Sequence, residues 1–347
     1  EIGRLAGVSQ SAVSMIINGK AEKFNLSHET AERVLRIARE NGFRPNHIAR
    51  SMRTGRTGII GILVSADSMR QIVGDYGNGG EAMQLQAGFL LAGCRVMLET
   101  VSAEDCRMLR MPELSSAGLA EFIIVVQNFT DEDQGRRYLE RLHERFGKVV
   151  LIDDVVESES VPYVSIDNER AGRDAADYLW RLGHRSFGTI CNEVCRHAHR
   201  RRLDGFCGRI AELSGGKAGI VSASGGDCWK LDCGGVAVSR LLEMTGGRAP
   251  SAIFATNDFF AYGAELELIK RGMRVPEDVS LIGVGEWPNA ATAPVPITSV
   301  SMDTSEKIDT VLRLWKQYQA GETPEQCSFR LCGRLCERRS TGRVEHA

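Results

Sequence analysis

No apolar run in this 347-residue chain approaches the roughly 18 residues needed to cross a bilayer. The longest candidates, Ile59 to Val64 and Phe122 to Val126, are strand-sized and bounded by polar or glycine residues. No secretory leader is expected either, because the first residues are polar, glycine-punctuated and carry Glu1 and Arg4. The chain starts in mid-pattern without Met, so a few residues are expected to precede Glu1. A cytoplasmic protein with no membrane partner is expected. Catalytic signatures are also lacking: there is no P-loop, G-x-G-x-x-G, G-x-S-x-G or H-E-x-x-H. Scattered Asp and His residues form no visible triad. An enzyme is not expected, and no cofactor is implied.

Ten cysteines are spread over the whole chain, and at this length without a leader free thiols are the expectation. Cys191, Cys195, His197 and His199 fall within nine residues, but zinc sites prefer a tight C-x2-C pair followed by H-x3-H. These four read as surface or loop residues, and no metal is expected. The composition, 43% hydrophobic and 25% charged, is that of an ordinary globular protein long enough for more than one core.

The net charge of −2 hides an asymmetry. Residues 1–58 hold ten Lys/Arg against five Asp/Glu, whereas the rest hold 33 against 40. A basic segment on an acidic body points to a polyanion as partner of the small part only.

That segment has the periodicity of three short helices. Ile2, Leu5 and Ala6 share one helical face, Gly7 ends it, Val8 covers the turn and Ser9 suits an N-cap. Ala12, Val13, Ile16 and Ile17 then recur at helical spacing, leaving Gln10, Ser11, Ser14 and Met15 outward before Asn18-Gly19 closes the helix. Ser27 caps a third helix with Glu29 in its first turn, a buried stripe of Ala31, Val34, Leu35 and Ala38, and Gly42 as terminator. Two helices joined by a glycine turn are the geometry that sets a recognition helix in the major groove. Periodicity alone equally allows a generic helical subdomain.

The wording is more specific. Leu5-Ala-Gly-Val-Ser9, Ala12-Val-Ser14, Asn18-Gly, Glu29-Thr30, Arg33-Val-Leu35, Gly42-Phe-Arg-Pro-Asn46 and Ile48-Ala-Arg-Ser51 resemble the DNA-binding domain of the lactose-repressor (LacI/GalR) family. The resemblance implies a recognition helix over residues 10–18, with Gln10 and Ser11 reading base edges and Ser9, Ser14 and Asn18 on phosphates. Met15 stands where many members carry arginine, so it offers only apolar contact and predicts a different operator base there. Residues 43–58 read as a linker that Pro45 keeps from extending the third helix. The resemblance makes it a hinge helix capped by Asn46, with Met52 as the wedge between central base pairs and Arg50, Arg53 and Arg56 drawn to phosphates.

From Gly58 onward apolar runs alternate with helix-length amphipathic stretches. Ile59–Val64, Val96–Glu99, Phe122–Val126 and Val149–Ile152 read as one set of buried parallel strands, with a helix over Glu81–Leu91. Tyr163–Ile166, Phe187–Ile190, Gly219–Ser222, Ala252–Ala255 and Val279–Val284 read as a second set. The fold class is α/β: an all-α helix-turn-helix head and a core of two doubly wound parallel sheets. Residues 1–42 form the head, 43–58 the hinge and 59–342 the core. Within the core, one lobe takes about 59–152 and 291–318, the other about 161–286 and 326–342.

The same family supplies landmarks in the core. Val164-Ser-Ile-Asp-Asn168, Leu182-Gly-His184, Arg202-Leu-Asp-Gly-Phe206, Ala255-Thr-Asn-Asp258, Gly272-Met-Arg-Val-Pro276, Asp278-Val-Ser280 and Arg338-Arg-Ser-Thr341 resemble its effector-binding part. This implies a periplasmic-binding-protein-like fold with a cleft and three crossovers, near 153–162, 287–300 and 318–326. It also implies a small-molecule effector, with Arg202 as leading ligand because guanidinium offers two parallel donors. Asp153 follows its strand and suits a hydroxyl, with Asp154 as an alternative. Gln127 and Asn257 end strands, whereas Asp258 is expected to cap the next helix. Trp229 suits either stacking on a ligand or core packing.

One departure bears on the ligand. Gly283-Val-Gly-Glu286 stands where the family ends a strand with an aromatic and paired aspartates, so Gly285 replaces the usual carboxylate and Glu286 alone remains nearby. Overall the resemblance implies a repressor that binds double-stranded palindromic operator DNA as a homodimer, controlled by a sugar or related metabolite. The tail after Arg339 has no leucine heptads, so no coiled-coil tetramer is expected. The alternative, a solute-binding receptor of a transport system, shares the two-lobed fold but would need a leader and would lack the head.

Overall fold

The computed structural model describes residues 1–17, 21–43, 57–66, 79–126, 131–152, 160–192, 197–226, 231–302, 304–322 and 328–344. The chain separates into two compact units, Glu1–Gly58 and Ile59–Ala347.

The small unit contains α1 (Ile2–Ala6), α2 (Gln10–Ile17), a 3-10 turn over Glu22–Phe24, and α3 (His28–Glu40). Gly7 ends α1 at φ 68°, a left-handed conformation that a Cβ would penalise. Ser9 Oγ accepts from the Ala12 N–H at 3.1 Å, and Ser27 Oγ from the Thr30 N–H at 3.2 Å, so both expected caps form. Ala6, Val13, Ile16 and Val34 make the core, backed by Ile2, Val8, Ile17, Ala31 and Ile37. Two expected core positions are instead exposed, Leu5 at 46% and Leu35 at 40%. Leu35 and Ile37 flank the inward edge of α3 on opposite sides, and α3 is rotated so that Val34, Ile37 and Ala38 face in.

The large unit runs β1 (Ile59–Ser65), α4 (Gly79–Leu91), β2 (Arg95–Val101), α5 (Ala103–Arg107), α6 (Glu113–Ser116), β3 (Phe122–Val126), α7 (Glu132–Phe146), β4 (Val149–Ile152) and β5 (Tyr163–Ile166). It continues through α8 (Asn168–Arg181), β6 (Ser186–Cys191), α9 (His197–Ser214), β7 (Gly219–Ser224), α10 (Leu231–Met244), β8 (Ala252–Ala255), α11 (Asp258–Lys270) and β9 (Ser280–Gly285). It ends with α12 (Pro288–Thr292), β10 (Thr298–Ser301), α13 (Thr304–Ala320), β11 (Phe329–Leu331) and β12 (Leu335–Cys336).

These strands form two six-stranded sheets, ordered β11-β5-β4-β3-β1-β2 and β12-β10-β9-β8-β6-β7. Among the described residues every pairing is parallel except β10 with β12. Each sheet is sandwiched between two apolar clusters, and β3 and β4 are buried along their whole length. Strand order reverses between β1 and β3 in the first sheet and between β6 and β8 in the second. Such a switch point opens a crevice at the carboxyl ends of strands.

The lobe boundaries differ from the sequence reading. Tyr163–Ile166 joins the first sheet rather than the second, and Thr298–Ser301 joins the second rather than the first. Phe329–Leu331 pairs back onto β5 in the first sheet, so only residues after it return to the second. The crossovers therefore follow Ile166, Ser301 and Leu331, the first and third several residues later than expected and the second just past its expected range. Short strands of three or four residues carry no sequence mark of the sheet they will pair with, and β10 (Thr-Ser-Val-Ser) is too polar to read as buried. The crossovers are tied together: the Asp167 N–H donates to Leu331 O at 2.9 Å, and the Ser301 N–H to Arg334 O at 2.7 Å.

Two glycines set the helix pair that carries the expected ligand residue. A Cβ on Gly172 of α8 would overlap the Arg202 carbonyl, and one on Gly205 of α9 would overlap the Glu169 carbonyl. The helices therefore touch backbone to backbone, which explains glycine in Arg202-Leu-Asp-Gly-Phe206. The thiol expectation needs one correction. Six described cysteines are free, but Cys233 is in a disulfide whose partner is not among the described residues. Disulfide pairing depends on Cα geometry, which spacing does not reveal.

Candidate functional site

Two faces gather the expected site residues. On the small unit, Gln10 and Ser11 are exposed at the N-terminal end of α2, and Ser14 and Met15 are half-buried on the same helix. Ser9 and Ser11 share a hydroxyl hydrogen bond at 2.8 Å beside the cap. Acceptor-seeking N–H groups at this end, with three small polar side chains, suit phosphate and base edges. Asn18, Asn46, Arg50, Met52, Arg53 and Arg56 lie outside the described residues.

The second face is the carboxyl end of the second sheet. Arg202 is buried on α9, and its guanidinium spans three elements. Nε donates to Asn168 Oδ1 at 2.8 Å, Nη1 to the Thr256 carbonyl at 2.8 Å, and Nη2 meets Met302 Sδ at 3.2 Å. Asn168 and Met302 lie just after the first and second crossovers, and Thr256 just after β8. Beside it, His199 Nδ1 pairs with Thr256 Oγ1 at 3.0 Å.

Asn257 takes the capping role that the sequence reading gave to Asp258. Asn257 Oδ1 accepts from the Phe260 N–H at 2.8 Å and so caps α11. Asp258 is wholly buried, accepting from the Ser299 hydroxyl at 2.7 Å and the Trp287 N–H at 2.8 Å. Burial pushes its carboxyl up to about 6, against the lowering pull of those two donors. Either residue could cap, and only the position of β9 and β10 decides which one turns inward. Glu286 adopts φ 59° and directs its carboxylate to Arg338, with Nη1 to Oε2 at 3.0 Å and a second contact from Nη2. It is thus turned toward the C-terminal segment.

That segment explains the Arg338-Arg-Ser-Thr341 signature. Ser340 is fully buried, accepts from the Thr298 N–H at 2.8 Å and donates to the Leu281 carbonyl at 2.6 Å. Thr341 Oγ1 pairs with the Tyr178 hydroxyl at 2.9 Å. His184 bridges Ser251 and the Gly342 carbonyl at 3.1 Å each, and burial lowers its pKa, so it stays neutral. These motif residues hold the lobe together.

Gln127, Asp153 and Trp229 lie outside the described residues, as do Asp154 and Cys195. Among the described residues no cluster of His, Cys, Asp or Glu could hold a metal ion. His197 Nε2 instead accepts from Arg201 Nε at 3.1 Å. No helix among them is long and apolar enough to cross a membrane.

One residue escaped the sequence reading. Asn192, directly after β6, is 2% exposed, and both its amide oxygen and nitrogen are buried without a hydrogen-bond partner. An amide left so costs on the order of 1–3 kcal/mol per group. Its position, the first polar residue after a buried strand, was the available signal.

Residues 1–46 match the model for bacterial regulatory proteins of the lacI family, and residues 176–341 match a periplasmic binding protein-like domain. The HTH-type transcriptional regulator CelR of Thermobifida fusca is 30% identical over 332 residues, 93% of this chain and 92% of CelR. Catabolite control protein A of Priestia megaterium is 25% identical over 342 residues, 98% of each chain. Among solved structures, a lac repressor dimer bound to operator and the anti-inducer ONPF superimposes with TM-score 0.75 at 19% identity, covering 98% of each chain. A CelR–cellobiose complex gives 0.66 at 26% identity, again over 98% of each. The curated relatives are transcriptional regulators rather than enzymes. With head and core both matched along one chain, the protein belongs to the lacI family of bacterial regulatory proteins.

Proposed function

We propose that the protein is a cytoplasmic, homodimeric repressor that binds a palindromic operator and releases or tightens on it when a small molecule enters the core. The observation that carries this reading is the exposed pair Gln10 and Ser11 on a capped helix end of a compact helical unit. Gln10 and Ser11 read base edges; Ser9, Ser14 and Asn18 position phosphates; Met15 contacts an apolar base feature such as a thymine methyl. Asn46, Arg50, Met52, Arg53 and Arg56 act in the minor groove at the hinge. Protein two-fold symmetry then matches operator symmetry. Exposed apolar side chains on α4 (Met83, Leu90, Leu91) and on α10 and α11 (Val236, Met244, Leu266, Ile269) support a partner copy covering them.

The effector is a sugar or related metabolite; the similar CelR has been solved with cellobiose. Arg202 is its leading ligand, with Gln127, Asp153, Trp229 and Asn257 around it, while Glu286 acts through Arg338. A ligand that engages the Arg202 guanidinium engages the same group that links Asn168, Thr256 and Met302. Binding energy is thereby delivered to the crossovers, which gives effector and operator a shared equilibrium to bias.

Fluorescence anisotropy of the full chain on a palindrome from its own upstream region, against scrambled DNA across a salt series, tests this. Preference for the palindrome with affinity falling steeply as salt rises is expected. Equal affinity for both duplexes would refute it.

A further inference from the structure

We propose that the strap from Trp287 to Val295 is held on α11 by a proton on Glu265 and lifts when that proton leaves, so that operator affinity falls as pH rises. This rests on reading the chain as an operator-binding regulator.

The strap connects β9 to β10 and carries α12 in its middle. Two carboxyl groups of α11 hold its ends. Asp258 accepts from the Trp287 N–H at 2.8 Å, and Glu265 Oε1 accepts from the Val295 N–H at 2.7 Å. The two acids are two helical turns apart, so they lie on one face of α11. Beyond Val295 the chain passes through Ile297 into β10 and then the second crossover, where Met302 meets the Arg202 guanidinium. The position of the strap is thereby passed to a segment that joins the two sheets.

The two grips differ. The charged groups around Asp258 are Arg202 from α9, Glu286 from the end of β9 and Arg338 from the C-terminal segment. With the Ser299 hydroxyl as a second donor, an ionised Asp258 has both hydrogen bonds and cations near it. Glu265 is fully buried, and its Oε2 has no partner. Among the described residues no charged group acts on it; burial and the Val295 N–H set its state, while Glu267 on the same helix is engaged by Arg271. A buried carboxylate without a counter-ion is costly, so the proton goes with the closed strap. An ionised Glu265 gains water when the strap lifts.

Lifting is cheap for the strap itself. Its buried side chains are the small Ala290 and Ala293. The Asn289 amide, whose oxygen and nitrogen are buried without partners, gains water at the same time. Burial holds the closed-state carboxyl of Glu265 at about 7 against the ordinary 4.5, so the ratio of closed to lifted strap falls about tenfold from pH 6 to pH 8.

The test follows amide exchange at Val295 in the full chain at pH 6 and pH 8, corrected for the intrinsic rate, beside palindrome affinity by anisotropy at one salt concentration. Wild type should lose protection about tenfold and bind the palindrome about three- to tenfold more weakly at pH 8. Glu265→Gln, which stays neutral, should leave at most about a twofold change in either, the part owed to Asp258. Should Glu265→Gln fail to fold, exchange in the wild-type chain decides. Equal protection of Val295 at both pH values, or the same pH dependence of operator affinity in wild type and Glu265→Gln, overturns the proposal. Exchange is read without DNA; operator selectivity, measured separately, reports whether the regulator reading itself stands.

Discussion

The two sheets of the large unit share one strand order and differ in what they bury. Among the described residues, the first lobe buries little that is polar beyond Ser165, Lys307 and Thr310. The second buries Asn168, His184, Asn192, His199, Arg202, Asp258, Glu265, Ser299 and Ser340, among others. One topology thus supports an apolar scaffold and a polar, hydrogen-bonded one. The polar lobe is where sensitivity to pH and to the loss of a partner is concentrated, because buried polar groups raise the stakes of every partner gained or lost.

A glycine in each lobe gives the largest contrast. Gly205→Ala drives a Cβ into the Glu169 backbone and should cost about 3 kcal/mol or more. Gly88→Ala in the first lobe meets only the Ile308 side chain, at 2.9 Å, and should cost about 1 kcal/mol. Calorimetric melting of the two variants measures the gap, and equal losses would break the contrast.

Glu265 on α11 sharpens it by pH. One oxygen accepts from the Val295 N–H at 2.7 Å, the other has no partner, and burial raises the carboxyl from 4.5 to about 7. The folded state holds this proton after the unfolded state has lost it. Stability is therefore full below about pH 4.5, declines toward pH 7 and is flat above, by on the order of 2–3 kcal/mol in all. Glu265→Gln mimics the protonated acid and should remove that decline, gaining on the wild type at pH 8 and matching it at pH 4. An unchanged pH profile in denaturant melts would contradict this. Ser340→Ala strands the Thr298 N–H and the Leu281 carbonyl, and should lower the second lobe's stability by about 1–3 kcal/mol. The smallest effect lies in the small unit, where Ser27→Ala removes the α3 cap at a cost of about 1 kcal/mol, read from the helical signal of the head.

Much of this was legible in the sequence because it was local. Caps at Ser9 and Ser27, the turn at Gly7 and the apolar strands are set by residues within a few positions of one another. What escaped was set by distant partners. Whether Asn257 or Asp258 caps α11 depends on β9 and β10. Which sheet takes Tyr163–Ile166 or Thr298–Ser301 depends on strands far along the chain. Leu35 against Ile37 is decided by how three helices rotate about a small core. The unpartnered amide of Asn192 becomes visible only once every neighbour is in place.

The most direct test of the central claim compares wild type with a Gln10→Ala/Ser11→Ala variant on palindromic and scrambled DNA at one salt concentration. Wild type should prefer the palindrome; the variant should bind both duplexes with the affinity wild type shows for scrambled DNA, because phosphate contacts survive and base contacts do not. A variant that keeps the full preference would show that this helix end does not read the operator.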